Sequence, residues 1–543
     1  MSAGAAPAAA QPVNYLFGGW KPDVPHILNP AFGIEMKEFF TMGEVSMLEA
    51  QNVFWTARGW RPYKPLNGTI AAPVALLNIG VSYNRNGTVQ IYGGSAYDLW
   101  QIQSGAWVKV SRTTPAWEAS TAYTSGTNIV DSNGRLQKCT TSGTSGTTAP
   151  TWGTTIGAVT DDGTAVWTCQ SLGAYSPTTN WSFQGMTGCM YATNGINQIQ
   201  SIDMDTGTAF ADIGGGAPIC SVLGMIRDFL FAGNIQSAQL GNLANGVQWS
   251  AISLPASWPA PGTQTAYADQ AGAQTVYSEY GPVMAISDNE SFGLIFQETG
   301  IVRAEYVGGS VVFQFYTYEK KRGAVGPQAV ARVGNKYYFC SPDGFFMTDG
   351  QTVDPIGYKR VDNWFFDRVG NLGAVQACAD TRNKLVYFTY PSEGSAYNDS
   401  VLIYNYVESV WSFAEQDNEC IAQGIVDQEY VPVGVDLTNS YGSFDGTPGT
   451  ATLTSQDLQL QQNGRSVVTM VRAMTDGNPL VAIGSRNQVE QDSVFTPYYA
   501  AHQRSGVAGV RSEGVYHRVS VELTGTWSDC VGATVYYKNA GIL

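Results

Sequence analysis

Residues 286–413 constrain the fold more than any other part of this chain, because their apolar runs are short and are separated by turn dipeptides that reverse the backbone. Within 333–350, the run Lys336 to Ser341 meets the run Gly344 to Thr348 across Pro342 and Asp343, with Gly334-Asn335 before and Asp349-Gly350 after. Within 382–413, two further aromatic and β-branched runs, 385–390 and 399–405, lead to a third that ends at Trp411, Ser412 and Phe413. Asn-Gly, Asp-Gly and Gly-Asn supply the positive φ angles of tight hairpins, so the segment reads as successive antiparallel strand pairs.

Composition extends that reading to the whole chain. Of 543 residues, 61 are Gly, 14 Trp, 29 Tyr and 22 Phe, while only 13% are charged. Many tight turns and many flat rings suit an all-β protein with broad packed surfaces, and the length divides naturally into several domains. The expected architecture is a β-propeller-like scaffold with an inserted small β-module and an additional β-region formed by the chain termini. Its parts are an N-terminal arm with the first scaffold strands (1–113), the inserted module (114–172), the propeller-like core (173–446) and a C-terminal β-region packing beside the propeller (447–543). Trp-Ser recurs at Trp181, Trp249, Trp411 and Trp527 with irregular spacing, which implies divergent blades rather than a fixed repeat. One helix is expected within 39–55, where Glu44, Met47, Leu48 and Gln51 fall at helical spacing.

The phrases 294–308, Ser341-Pro342-Asp343-Gly344, Trp364-Phe365-Phe366 and Trp411-Ser412, together with 245–258 closing on Trp258, resemble the hub or nozzle proteins at the end of short-tailed bacteriophage tails. The resemblance covers roughly two-thirds of the chain by pattern. It implies a structural virion protein in the tail, assembled in the host cytoplasm as a ring-forming homo-oligomer, a hexamer. It further implies contacts with a head-to-tail adaptor and with tail fibre or needle proteins, and transient passage of viral DNA.

Charge fits that expectation. A formal net charge of −15 opposes tight binding to phosphate, and the densest basic run is only Lys320-Lys321-Arg322. A neutral or acidic wall lets DNA pass without holding it. Residues 1–10 lack the basic start and apolar stretch of a signal peptide, and the longest apolar run, near 71–81, is too short to span a bilayer, so the chain reads as a soluble cytoplasmic product. Without a secretory signal the Asn-x-Ser/Thr sites at Asn67, Asn86, Asn180, Asn289 and Asn398 read as turns. The eight cysteines lack zinc spacing; Cys139 with Cys169 is the one pair that suggests a disulfide, and free thiols suit a cytoplasmic product better.

Between 114 and 172 the composition turns abruptly to Thr, Ser and Gly, with Trp117, Tyr123, Asn133-Gly134, Trp152, Asp162-Gly163 and Trp167 in order. This segment resembles the small chitin-binding-like modules found inside phage virion proteins. Exposed Trp117, Tyr123, Trp152 and Trp167 would form a platform on which sugar rings stack, making a host surface glycan the candidate ligand. Against this, so small a module has little core and needs those rings inside it, most of all Trp117 and Trp167; for Trp152 the two readings balance.

No catalytic, cofactor or metal site is expected. The three histidines, His26, His502 and His517, sit in no triad or metal motif, and Gly214-Gly215-Gly216 precedes Ala-Pro, a turn rather than a phosphate cradle. Asp203 and Asp205 are the densest carboxylate pair and read as solvated turn residues rather than a cation site. Two functional classes therefore remain: a structural ring of the tail, and a glycan-binding or glycan-cleaving propeller targeted by the module.

Overall fold

The computed structural model describes residues 10–23, 42–287, 292–309, 311–461 and 464–542, and it is an all-β protein. Seven four-stranded antiparallel blades follow one another along the chain. Blades 1 to 6 occupy 78–109, 182–212, 219–275, 283–319, 330–355 and 376–418; blade 7 combines 420–443 with the distant strand Asn67–Ala71. That early strand pairs with Ser440–Ser443, Ser443 opposite Asn67, and closes the circle with a segment from the other end of the scaffold.

Each junction between blades has its own apolar core. Cys420 and Val435 of blade 7 pack on Ile79 and Trp107 of blade 1; Tyr92 and Leu99 of blade 1 pack on Trp181 and Met190 of blade 2. The series continues through Tyr191 with Leu223, Phe229 with Ile295, Phe296 with Phe339, Phe345 with Phe388 and Leu385 with Ile421, which returns to blade 7. Seven packed junctions in a closed series make a seven-bladed β-propeller. The innermost strands approach closely because small residues face their neighbours: a Cβ on Gly80 would lie 2.5 Å from Phe183, and one on Gly224 would lie 2.6 Å from Ile286.

The chain ends build a second β-region. Gln11–Trp20 runs antiparallel to Cys530–Ile542, with Gln11 opposite Tyr537, and parallel to Met42–Gln51. From there the sheet continues through Ala451–Ser455 and Tyr516–Leu523 to Pro479–Arg486. On the other side Cys530–Ile542 pairs with Gly464–Thr475, which pairs with Ala508–Gly514. The sheet curls far enough for its two sides to meet, the Ser512 hydroxyl donating to that of Ser485 at 2.7 Å and the Val515 amide to the Arg486 carbonyl at 3.1 Å. Val468, Val471, Ile483, Val510, Val519 and Val535 fill the interior. This region is bonded to blade 6 through Trp20 opposite Trp411 and Gln51 opposite Phe413.

The helix expected within 39–55 is instead the strand Met42–Gln51. Val45, Met47 and Ala50 are buried in the core of the terminal region, and a strand there satisfies its backbone on both sides, by pairing with Gln11–Trp20 and Ala451–Ser455. Residues 39–41, His26 and Asn289 lie outside the described residues. Asn67 and Asn398 open strands rather than form turns, and Asn398 is buried, donating to the Ala374 carbonyl at 3.1 Å.

The inserted segment leaves the propeller after blade 1 and returns before blade 2. Its ends are pinned side by side: the Arg112 side chain donates to the Ala174 carbonyl at 3.2 Å, and its amide donates to the Tyr175 hydroxyl at 3.0 Å. Between them lie a four-stranded sheet (Asn128–Val130, Leu136–Thr141, Ala165–Ser171, Val159–Asp162) and a two-stranded one (Ala122–Tyr123, Gly143–Thr144). All eight cysteines are free thiols. Cys139 and Cys169 are not cross-strand partners, since Cys139 faces Trp167 and Cys169 faces Gln137.

Candidate functional site

The axis of the propeller encloses a cavity of about 750 Å³, lined by inner-strand residues of blades 1 to 5 and 7. Its polar lining includes Ser82, Gln184, Gln328 and Gln423, with Tyr83 and Tyr430 retaining 37% and 44% of their surface in water. The volume lies within the range of small-ligand sites, and hydroxyls, amides, phenol rings and the Arg332 side chain suit a polyhydroxylated ligand. Gln328 donates to Asn180 across blades at 2.9 Å, so part of this polar equipment is tied into the scaffold.

In the inserted module the four expected stacking residues converge on one core. Trp167 and Trp152 are buried, their rings 6.0 Å apart at 74°, and Tyr123 meets Trp167 edge-on at 4.8 Å. Buried Asp162 organises the group by accepting from the Trp117 indole at 2.7 Å, the Trp167 indole at 3.0 Å and the Gly146 amide at 2.7 Å. Burial leaves Trp152 and Trp167 without a face for sugar. Trp117 and Tyr123 are half-buried, and the Tyr123 hydroxyl accepts from the Glu118 amide at 2.9 Å. The physical reason is the small core of the module, which uses its largest side chains to build an interior.

Asp203 and Asp205 face Arg85 at 2.7 and 3.0 Å, and Asn86 donates to Asp205 at 3.0 Å. The Arg85 guanidinium, with the amides of Asp205 and Thr206, holds the Asp203 carboxyl well below the usual range. These carboxylates therefore fasten the Asn84–Thr88 turn of blade 1 to blade 2. Gly214, Gly215 and Gly216 all have positive φ (69°, 60° and 82°), and the Trp258 amide donates to the Gly215 carbonyl at 3.0 Å, closing the 245–258 loop onto this turn.

The terminal region holds a polar cluster that sequence reasoning missed. The Ser466 hydroxyl and His517 Nε2 are 2.9 Å apart, and both residues are fully buried. Desolvation pushes the His517 imidazole down to about 4. Nearby Asp457 is bound by Arg486 and, at 3.0 Å, by Arg518. Serine, histidine and aspartate thus come together, but the carboxylate is taken by two arginines and does not orient the imidazole as a triad aspartate would. Asp457 lies 29 and 61 residues from its arginine partners and Ser466 lies 51 from His517, so these pairings left no local signal.

No family model matches the chain and no curated protein matches it. Solved structures similar to it include the computationally designed Ika8 protein, at 9% identity and TM-score 0.32, covering 70% of this chain and 98% of that one. Another is the Mitotic Checkpoint Complex, at 10% identity and TM-score 0.32, covering 69% and 92% respectively. The chain is an all-β protein built on a seven-bladed propeller.

Proposed function

We propose that this chain is a structural virion subunit, a ring-forming hub or nozzle at the tail of a short-tailed bacteriophage that extends the DNA-ejection channel and anchors other tail parts. The observation that carries this reading is the continuous sheet running from blade 6 through the strand Val410–Asn418 into the terminal region. Propeller and terminal strands share a core around Trp20, Phe345 and Trp411, so the two parts behave as one stiff body, as a subunit that transmits force between neighbours requires. Mass measurement in solution and end-on particle images test the proposal. A closed oligomer, hexameric by the resemblance, is expected; a monodisperse monomer at micromolar concentration, even with adaptor and fibre proteins present, overturns it.

The axial cavity favours a second reading, a propeller that binds a surface glycan. Its test is calorimetric titration with neutral oligosaccharides, comparing the whole protein with Tyr83→Ala and with a variant lacking 114–172. Binding lost in Tyr83→Ala but retained without the module supports this reading; no heat with any oligosaccharide removes it.

A further inference from the structure

Four large apolar side chains within six residues stand in water at one side of the terminal sheet. Val494 is 74% exposed, and Phe495, Tyr498 and Tyr499 are 41%, 39% and 42% exposed. The short strands Val494–Phe495 and Tyr499–Ala500 hold this ridge against Pro479–Arg486. The Phe495 ring lies over Gly484, where a Cβ would meet three ring carbons at 2.9 to 3.0 Å, and the Tyr498 hydroxyl bonds that of Ser520 at 2.7 Å. Rings fixed in this way lose little freedom on docking. The surroundings are acidic: Glu490 and Asp492 are exposed just before the ridge, and Glu49 and Glu522 lie near the Tyr498 hydroxyl, with Arg504 further along the chain.

A patch of opposite charge lies on other elements. Tyr358 and Val407 are 64% and 61% exposed, and their loops are joined by Arg360, which donates to the Ser409 carbonyl at 2.8 Å. Lys359 reaches over the Tyr358 ring at 5.4 Å. Lys359, Arg360 and exposed Lys384, whose carbonyl accepts the Tyr406 amide, outnumber the neighbouring carboxylates Glu408 and Asp23, and that of Asp23 is already taken by the Asn363 and Trp364 amides.

We propose that the ridge of one copy seats on the Tyr358/Val407 patch of the next copy, apolar groups at the centre and acidic residues against Lys359 and Arg360. Exposed apolar clusters of this kind mark association sites, and complementary charge fixes their orientation. Because ridge and patch are different surfaces, the contact is head-to-tail and builds a ring when its rotation closes. The inference rests on the ring-forming reading above and assigns the surfaces that make the ring.

The test uses two full-length double variants, Val494→Glu/Tyr499→Ser on the ridge and Tyr358→Ser/Val407→Glu on the patch, with mass measured in solution. Unchanged near-ultraviolet circular dichroism and melting show that each is folded. Each variant alone is expected at the single-subunit mass of 58.3 kDa. Mixed at high concentration, the two retain one intact ridge and one intact patch and are expected to pair one to one. Lys359→Glu is expected to weaken assembly, and Asp492→Lys to restore it. If wild type forms rings and either variant also does, these surfaces are wrong while the ring reading stands. Failure of the mixture to pair overturns the head-to-tail contact. Wild type that stays single at every concentration overturns the ring and this contact together.

Discussion

Asp362 is a carboxyl held far from its ordinary chemistry. It opens the short helix Asp362–Phe366, buried behind Gly344 and Gly357, and accepts the Phe345 amide at 3.2 Å. Desolvation, reinforced by Asp23 and Asp343, lifts its carboxyl to about 7. Between about pH 4 and 7 the unfolded chain has released this proton while the folded one keeps it, so stability falls as pH rises through that window. Each tenfold change in proton affinity is worth about 1.4 kcal/mol, and solvent screening reduces the whole to about 2 kcal/mol. Asp362→Asn should flatten this loss, so that urea midpoints at pH 5 and pH 8 move closer together than in wild type; an unchanged difference refutes the assignment. His517 acts with the opposite sign. Its folded value lies below the unfolded one, so stability is lost as pH falls from about 6.5 toward 4. Asp457 matters through its ion pairs with two buried arginines. Asp457→Ala would leave Arg486 and Arg518 buried without their carboxylate and should cost about 3 to 5 kcal/mol in chemical denaturation.

At the scale of elements, the pinned ends of the insert make a direct prediction. Arg112 and Ala174 are already in contact, so replacing 114–172 with a short glycine linker should leave the propeller folded and its melting temperature changed by less than about 3 °C. Loss of soluble protein would show that the module supports the scaffold. The closure of blade 7 is more delicate. A Cβ on Gly442 would lie 1.7 Å from the Asn67 carbonyl, so Gly442→Val should release Asn67–Ala71 and abolish hydrogen-exchange protection there before blades 2 to 5 are affected. Unaltered protection would count against this closure. These elements also show what a sequence makes readable. The 336–348 hairpin was legible because Ser341 and Gly344 flank a two-residue turn, a purely local signal. Met42–Gln51 misled because its pairing with Ala451–Ser455 shifts register between Met47 and Glu49. That shift breaks the strand alternation, so the buried residues are Val45, Met47 and Ala50, while Glu44, Met47, Leu48 and Gln51 happen to fall at helical spacing. Closure by Asn67–Ala71 and the Asp457 cluster were illegible because their partners lie far away in the chain.

At the scale of the whole molecule, electrostatics decides whether a conduit is feasible. The chain carries 44 acidic and 29 basic residues, and many arginines are engaged with carboxylates: Arg85 with Asp203, Arg112 with Asp212, Arg382 with Glu429, Arg465 with Glu513. Each such pair weakens the local positive field that would draw in a phosphate backbone. Assembly through the ridge and patch would add Lys359 and Arg360 to the occupied cations, so ring formation cannot convert them into a basic lumen. Duplex affinity grows with the number of counterions that cations displace, and the excess of acidic residues, a formal net charge of −15, opposes the approach of phosphate. The assembled protein is therefore expected to show no retention of duplex DNA in gel-shift or fluorescence titrations at low salt, where residual attraction is strongest. Tight binding that fades steeply with added salt would reveal a basic face concealed within the acidic average. A duplex held by such a face would have to break those contacts at each step of its passage, and the passive conduit would then have to be abandoned.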